Sequence, residues 1–284
     1  MPTPLTEWHA RLSLSFSRHD SNKTVLSGNR HEGPLLVQKA LYPEGPNVCH
    51  VAILHPPSGI AGGDALAIDI HADQGAHALL TTPGATRWYK SNGRHASQTV
   101  DLHLGAEARL DWLPQENIFF EQAQATSSTQ LHLQNGSRAI GWEITQLGSV
   151  AAQPAWAAGA VQLNTRILLD ERLIWLDAGE IHADGLLRTT ANGLAGFPAM
   201  GTLWAFGPSL ESGQIDRLAQ TLPWSDALRA GITCLPQKNE QGLCLVRVLG
   251  RHVADIKALL IELWMALRPA LLETPGQYLR LWST

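Results

Sequence analysis

The sequence predicts a mainly β protein that ends in a small α/β portion carrying two helices. Three observations predict it. From about Trp8 to Leu203, apolar and polar residues alternate in short runs, the period of a strand with one buried face. Gly, Pro and Asn-Gly signals separate those runs and supply tight reversals. Only beyond residue 206 does the apolar spacing lengthen to that of amphipathic helices.

Taken in order, strands are expected around Leu12-Leu14-Phe16, Leu35-Val37-Lys39, Leu66-Ile68-Ile70, Val100-Leu102-Leu104, Leu131-Leu133, Val161-Leu163 and Ile174-Leu176. Turns are expected at Gly28-Asn29, Asn92-Gly93, Asn135-Gly136 and Asp184-Gly185. Strands so short and so regularly punctuated fit a sandwich, a barrel or a β-helical stack, and the pattern leaves all three open. No fixed-period repeat accompanies them. Further on, the segment 209–222 sets Leu210, Ile215, Leu218 and Leu222 roughly on one helix face. The segment 253–271 does the same with Ile256, Leu259, Leu260, Leu263 and Leu267, and it ends just past Arg268-Pro269. Two strands, 231–235 and 243–249, are expected between the helices. With no Pro- or Ser-rich linker, residues 1–284 are expected to form a single compact unit, with 1–205 as the β body and 206–284 as the α/β portion.

Composition narrows the function. The chain has 284 residues, 44% hydrophobic and 16% charged, with a formal net charge of -4. A chain of this size can bury a core without a metal or disulfide staple. The charge and the lack of like-charge runs argue against nucleic-acid binding through a basic face. The first residues show no basic and apolar leader pattern, and the longest apolar stretch, 258–272, is interrupted by Glu262, Arg268 and Pro269. A cytoplasmic protein with no membrane partner is therefore expected, and its three cysteines, Cys49, Cys234 and Cys244, are expected to be reduced and mostly buried. No catalytic motif stands out: GIAGGD lacks dinucleotide and P-loop spacing, and neither G-x-S-x-G nor H-E-x-x-H occurs. The alternative is a metal-dependent hydrolase built from scattered ligands such as His55, Asp64, His95 and His182.

Residues 31–120 are the informative stretch. Pro56-Pro57 fixes extended backbone, and Ser58-Gly59 with Gly62-Gly63 permits sharp turns and close approach of another chain. Arg87-Trp88-Tyr89-Lys90 and Ile118-Phe119-Phe120 concentrate the residue types favoured in partner binding, although Trp88 and Phe119 fit a core equally well. Cys49-His50 with His55 combines thiolate and imidazole, donors suited to transient contact with a borderline metal such as nickel or zinc, but the spacing matches no structural-zinc signature and a buried strand thiol explains Cys49 more simply. His31, beside Glu32 and Gly33, reads equally well as a loop histidine holding the backbone.

Five phrases occur in order: HEGPLLVQKALYPEG at 31–45, Cys49-His50, HPPSGIAGGD at 55–64, TTPGATRWYKS at 81–91 and LPQENIFF at 113–120. Weaker echoes follow at 141–148 and 193–205. Together they resemble the urease accessory protein UreD (UreH) family, with Ser58 where members commonly carry glycine. The resemblance implies a β-helix-like stack of strands and a non-enzymatic maturation factor. It implies partners too: apo-urease and UreF, with the nickel-carrying GTPase UreG recruited through UreF. No tightly held cofactor is implied. A polar internal route for nickel is, and carboxylates set among apolar residues, Asp64, Glu143 and Glu180, are its candidates, although each could equally face solvent or cap a turn.

Overall fold

The computed structural model describes residues 7–19, 22–149 and 156–283; the first six residues, part of the stretch read for a leader, lie outside it. In chain order the strands are β1 (His9–Arg18), β2 (Thr24–Glu32), β3 (Leu36–Val37), β4 (Cys49–Leu54), β5 (Gly59–Ile60), β6 (Ala65–Ala72), β7 (His77–Thr81), β8 (Thr86–Trp88) and β9 (Ala96–Leu104). There follow β10 (Arg109–Leu113), β11 (Asn117–Phe119), β12 (Gln124–Leu133), β13 (Arg138–Leu147), β14 (Ala160–Leu169), β15 (Arg172–His182) and β16 (Ala199–Pro208). The chain ends with α1 (Ser212–Thr221), β17 (Leu228–Pro236), β18 (Gln241–Gly250) and α2 (Val253–Leu272).

Of the three architectures the alternation allows, the stack forms. Between β4 and β14 the chain winds through parallel turns, alternating between two sheets. The first sheet runs β15-β14-β12-β9-β6-β1-β2, and the second β17-β18-β16-β13-β10-β7-β4-β3. The short strands β5, β8 and β11 make a narrow third run that rejoins β13. Successive turns differ in length, since Ala65 pairs with Ser97, Ala96 with Ala125, and Ala125 with Val161. That irregularity explains why no repeat is visible in the sequence.

Two apolar layers result. Leu12, Leu14, Ile70, Leu102, Leu131 and Trp204 belong to the layer between the sheets, and they come from the alternate positions that the period-2 reading selects. The second sheet is covered on its other side by α2, so β7 is buried along its whole length, as expected of parallel strands with both faces packed. Ile256, Leu260, Trp264 and Leu267 form the apolar face of α2. Gly201 and Gly250 let the helix come close, because a Cβ on either would lie within 2.7 or 2.8 Å of Ile256. Both expected helices and both strands between them are present, and β17 and β18 extend the second sheet itself.

Two expectations are corrected. Gly28-Asn29 is not a turn but part of β2, where Gly28 faces Ser15 beside a register shift. Cys234 and Cys244 are not reduced thiols: they face each other on antiparallel β17 and β18 and are joined by a disulfide, leaving Cys49 as the free, buried cysteine. Nine intervening positions hid a cross-strand pairing that only the register defines.

Candidate functional site

A cavity of roughly 340 Å³ lies between the two sheets, lined by Glu143, Thr145, Leu163, Thr165, Asp177 and Arg247 among others. Alternation along β13 explains its acid. Ile140, Trp142 and Ile144 point to α2 and pack there, so Glu143, one residue out of phase with them, points between the sheets. Thr165 of β14 donates a hydrogen bond from Oγ1 to Glu143 Oε2 at 2.8 Å, and Thr129 of β12 supplies a second hydroxyl. Burial pushes the Glu143 carboxyl up, and the like charge of Asp177 adds to this, outweighing the two threonine hydrogen bonds. Asp177 is held differently, through an ion pair with Arg247 at 2.6 Å. The cavity therefore presents a carboxyl that hydroxyls orient and that no ion pair neutralises among the described residues, the arrangement that gains most when a cation enters.

On the opposite side of the second sheet lies a buried ionic network that the sequence reading missed. Arg268 of α2 donates to Asp111 of β10 through Nε and Nη2, each at 3.1 Å. Its Nη1 and Nη2 also reach Glu44 at 2.5 and 3.2 Å, and Nη1 reaches the Pro275 carbonyl at 2.7 Å. Trp264 Nε1 donates to Asp111 at 2.7 Å, His77 Nε2 contacts it at 2.9 Å, and His50 Nε2 contacts Glu44 at 2.7 Å. Burial alone would raise both carboxyls. The Arg268 charge with the His77 and Trp264 contacts brings Asp111 below its ordinary range, and the His50 and Arg268 hydrogen bonds do the same for Glu44. His77 is pushed below the ordinary imidazole range by burial, against the pull of Asp111, so a neutral His77 donates Nε2–H to an ionised Asp111. The available signal was the Asp111-Trp112 pair inside an otherwise apolar strand, set against Arg268 inside an apolar helix.

The expected site residues separate. Cys49 and His50 are neighbours on β4 and so point to opposite faces. Cys49 lies in the inter-sheet core 3.7 Å from the Tyr42 hydroxyl, while His50 joins the Arg268 network. His55 sits beyond the end of β4, beside a separate cavity, so the three are not brought together. Asp64 caps a turn, accepting from the amides of Ala61 at 2.8 Å and Trp8 at 3.0 Å. Glu180 is exposed on the outer face of β15 beside His182, the side opposite Asp177. His31 stands exposed on β2. His95 bonds to Thr126 and His182 to Glu180, so the ligands of the hydrolase alternative do not converge. Trp88 and Phe119 are core residues, stacked at 5.0 Å. Arg87, Tyr89 and Lys90 are exposed, Ile118 and Phe120 partly so, and Tyr89 stacks on Phe120 at 5.5 Å.

The close approach implied by the glycines occurs within the chain. A Cβ on Gly62 would lie 2.0 Å from the Ser91 carbonyl, and one on Gly59 would lie 2.2 Å from the Tyr89 ring. The phrases at 55–64 and 81–91 are thus successive turns of the stack pressed together.

Fold and site define a stacked, mainly β protein with a carboxyl-bearing cavity between its sheets. Residues 9–283 match the family model described as UreD urease accessory protein. A urease accessory protein UreD of Bordetella pertussis is 51% identical over 284 residues, covering 100% of both chains. That of Cupriavidus necator is 47% identical over 287 residues, covering 100% of this chain and 98% of its own. The chain belongs to the UreD urease accessory protein family.

Proposed function

We propose that this chain is a non-catalytic, cytoplasmic maturation factor that binds apo-urease and UreF, with UreG joining through UreF, and helps nickel reach the urease active site. Family membership supports the accessory role. The observation that carries the nickel reading is Glu143, a carboxyl in a solvent-reached cavity with hydroxyl ligands beside it and no ion-pair partner among the described residues. Nickel is cargo here, held briefly: carboxylate and hydroxyl oxygens bind a borderline cation less firmly than imidazole or thiolate does, so the ion can leave. Asp177 takes the place of Asp64 and Glu180 in this route, because it shares the cavity with Glu143. Tyr89, Phe120, Arg87 and Lys90 are the proposed partner surface, held by the Trp88–Phe119 stack beneath.

The test is co-expression with UreF, UreG and apo-urease, followed by affinity capture and urease assay at fixed nickel. Glu143→Ala should leave capture intact and lower urease activation, and Tyr89→Ala with Phe120→Ala should weaken capture. Full activation by the first variant would remove the route, and failure of the native chain to capture any partner would remove the assembly role.

A further inference from the structure

The outer face of the first sheet carries a row of groups that the cavity does not use. His71 of β6, His103 of β9 and His132 of β12 occupy one register position on three parallel strands. Their rings stack with centroids 4.6 and 4.4 Å apart. Two residues earlier, and on the same face, Asp69 pairs directly with Asp101. In-register strands lie about 4.8 Å apart, so the two carboxylates repel each other.

Asp69 lies between this repulsion and the imidazoles. Its Oδ1 is 3.0 Å from His71 Nε2 and 3.8 Å from His103 Nε2. That oxygen is covered yet makes no well-aligned hydrogen bond. One donor atom from each of Asp69, His71 and His103 lies within 4.8 Å of the others. His132 is engaged elsewhere, since the Gln130 amide donates to its Nε2 at 2.7 Å. It acts as a wall against which His103 stacks. The adjoining depression also holds Asp73, Asp170 and Glu171, which concentrate cations there.

We propose that Asp69, His71 and His103 bind one divalent cation of borderline softness, through Nε2 of each imidazole and one carboxylate oxygen. Two imidazoles with a carboxylate select zinc, cobalt, nickel or copper over magnesium or calcium. Metal–nitrogen and metal–oxygen bonds of about 2.0–2.2 Å need donors roughly 3.4 Å apart in a four-coordinate site, within the range the three already span. Both imidazoles are well exposed, at 44% and 38%, so their rings can tilt out of the stack to aim their lone pairs inward without disturbing the core. Water fills the fourth position. The site is on the opposite face of the first sheet from the Glu143 cavity, and it does not depend on the nickel route.

The purified full-length chain is titrated with Co²⁺ alone and with Zn²⁺ alone, without urease. Co²⁺ should saturate at one equivalent and show visible ligand-field bands of a four-coordinate centre, and Zn²⁺ should displace it. The double variant His71→Ala with His103→Ala removes two exposed side chains and should lose the bands and weaken affinity by about tenfold or more. His182→Ala, which removes an exposed histidine elsewhere on the surface, should bind as the native chain does. Absence of saturable binding by the native chain overturns the proposal, as does unchanged stoichiometry and affinity in the double variant. Circular dichroism of the double variant should match the native spectrum, and Asp69→Asn gives a second, milder reading of the same loss.

Discussion

Arg268 meets Asp111 through two parallel contacts of 3.1 Å, with both side chains fully enclosed. This fork joins α2 to the middle of the second sheet, and Glu44 extends it to the loop before β4. A buried pair is no guarantee of net stabilisation, but removing one partner strands the other's charge, at about 3–5 kcal/mol. Arg268→Met should therefore lower stability by roughly that much in urea unfolding. Arg268→Lys should also be destabilising, because an ammonium cannot reach Asp111, Glu44 and the Pro275 carbonyl with one planar fork. A lysine variant as stable as the native chain would show that the fork geometry contributes nothing.

The same network sets the response to acid. His77 has its folded-state affinity for protons lowered by burial, while an unfolded histidine takes a proton near pH 6.5. As pH falls below about 6.5, the unfolded state binds a proton that the native state refuses, and stability drops. Asp111 and Glu44 are lowered carboxyls. Their contribution is complete above about pH 4 and disappears as pH falls through their lower folded values. Thermal midpoints measured from pH 8 to 3 should thus fall in two stages. His77→Gln should flatten the upper stage and leave the lower; His55 and His103, also lowered by burial, keep part of the upper slope.

Glu143 has the opposite sign. Its raised carboxyl binds a proton in the native state over a window that starts near pH 4.3, the unfolded value, and ends at the higher folded one. The native state loses that advantage as pH rises through the folded value, so the ionised group costs stability at neutral pH. Glu143→Gln keeps the shape and an oxygen that can accept from Thr165. It should be as stable as the native chain or more so, by on the order of 1 kcal/mol at pH 8, while urease activation falls. A variant destabilised at pH 8 would mean that the carboxylate is held by a partner rather than exposed to the cavity.

The alternating runs fixed most of the strands, because each needs only local information: Leu12, Leu14 and Phe16 face inward regardless of what lies beyond them. The same is true of α2, whose Ile256-Leu260-Leu263-Leu267 stripe is a single face. What was not legible depends on which turn lies above which. Cys234 and Cys244 pair through register, and His71, His103 and His132 align because turns of unequal length still stack in phase. Glu143 could be read as an isolated acid, but its hydroxyl neighbours come from two strands of the other sheet. Asp64 and Glu180 share that local pattern and yet cap a turn and face solvent. Cys49 and His50 could not share a metal for a local reason, the alternation of side chains along one strand.

Ser58 tests how closely the turn at 55–64 is specified. Its φ of 62° lies in the left-handed region, which costs a residue with a Cβ about 1–2 kcal/mol. Glycine removes the strain but gives the unfolded chain more freedom, an opposing effect of roughly 0.5–1 kcal/mol. The serine also has one long hydrogen bond to give up, Oγ to the Pro56 carbonyl at 3.3 Å. The balance favours Ser58→Gly by about 0.5 kcal/mol. Gly62→Ala, four residues on, should do the reverse and lose about 2 kcal/mol or more, because its Cβ would be driven into the Ser91 carbonyl at 2.0 Å. Denaturant unfolding of the two variants side by side separates a conformational requirement from a steric one. If Ser58→Gly were the more destabilising of the two, the turn would owe its shape to the serine hydroxyl rather than to backbone freedom.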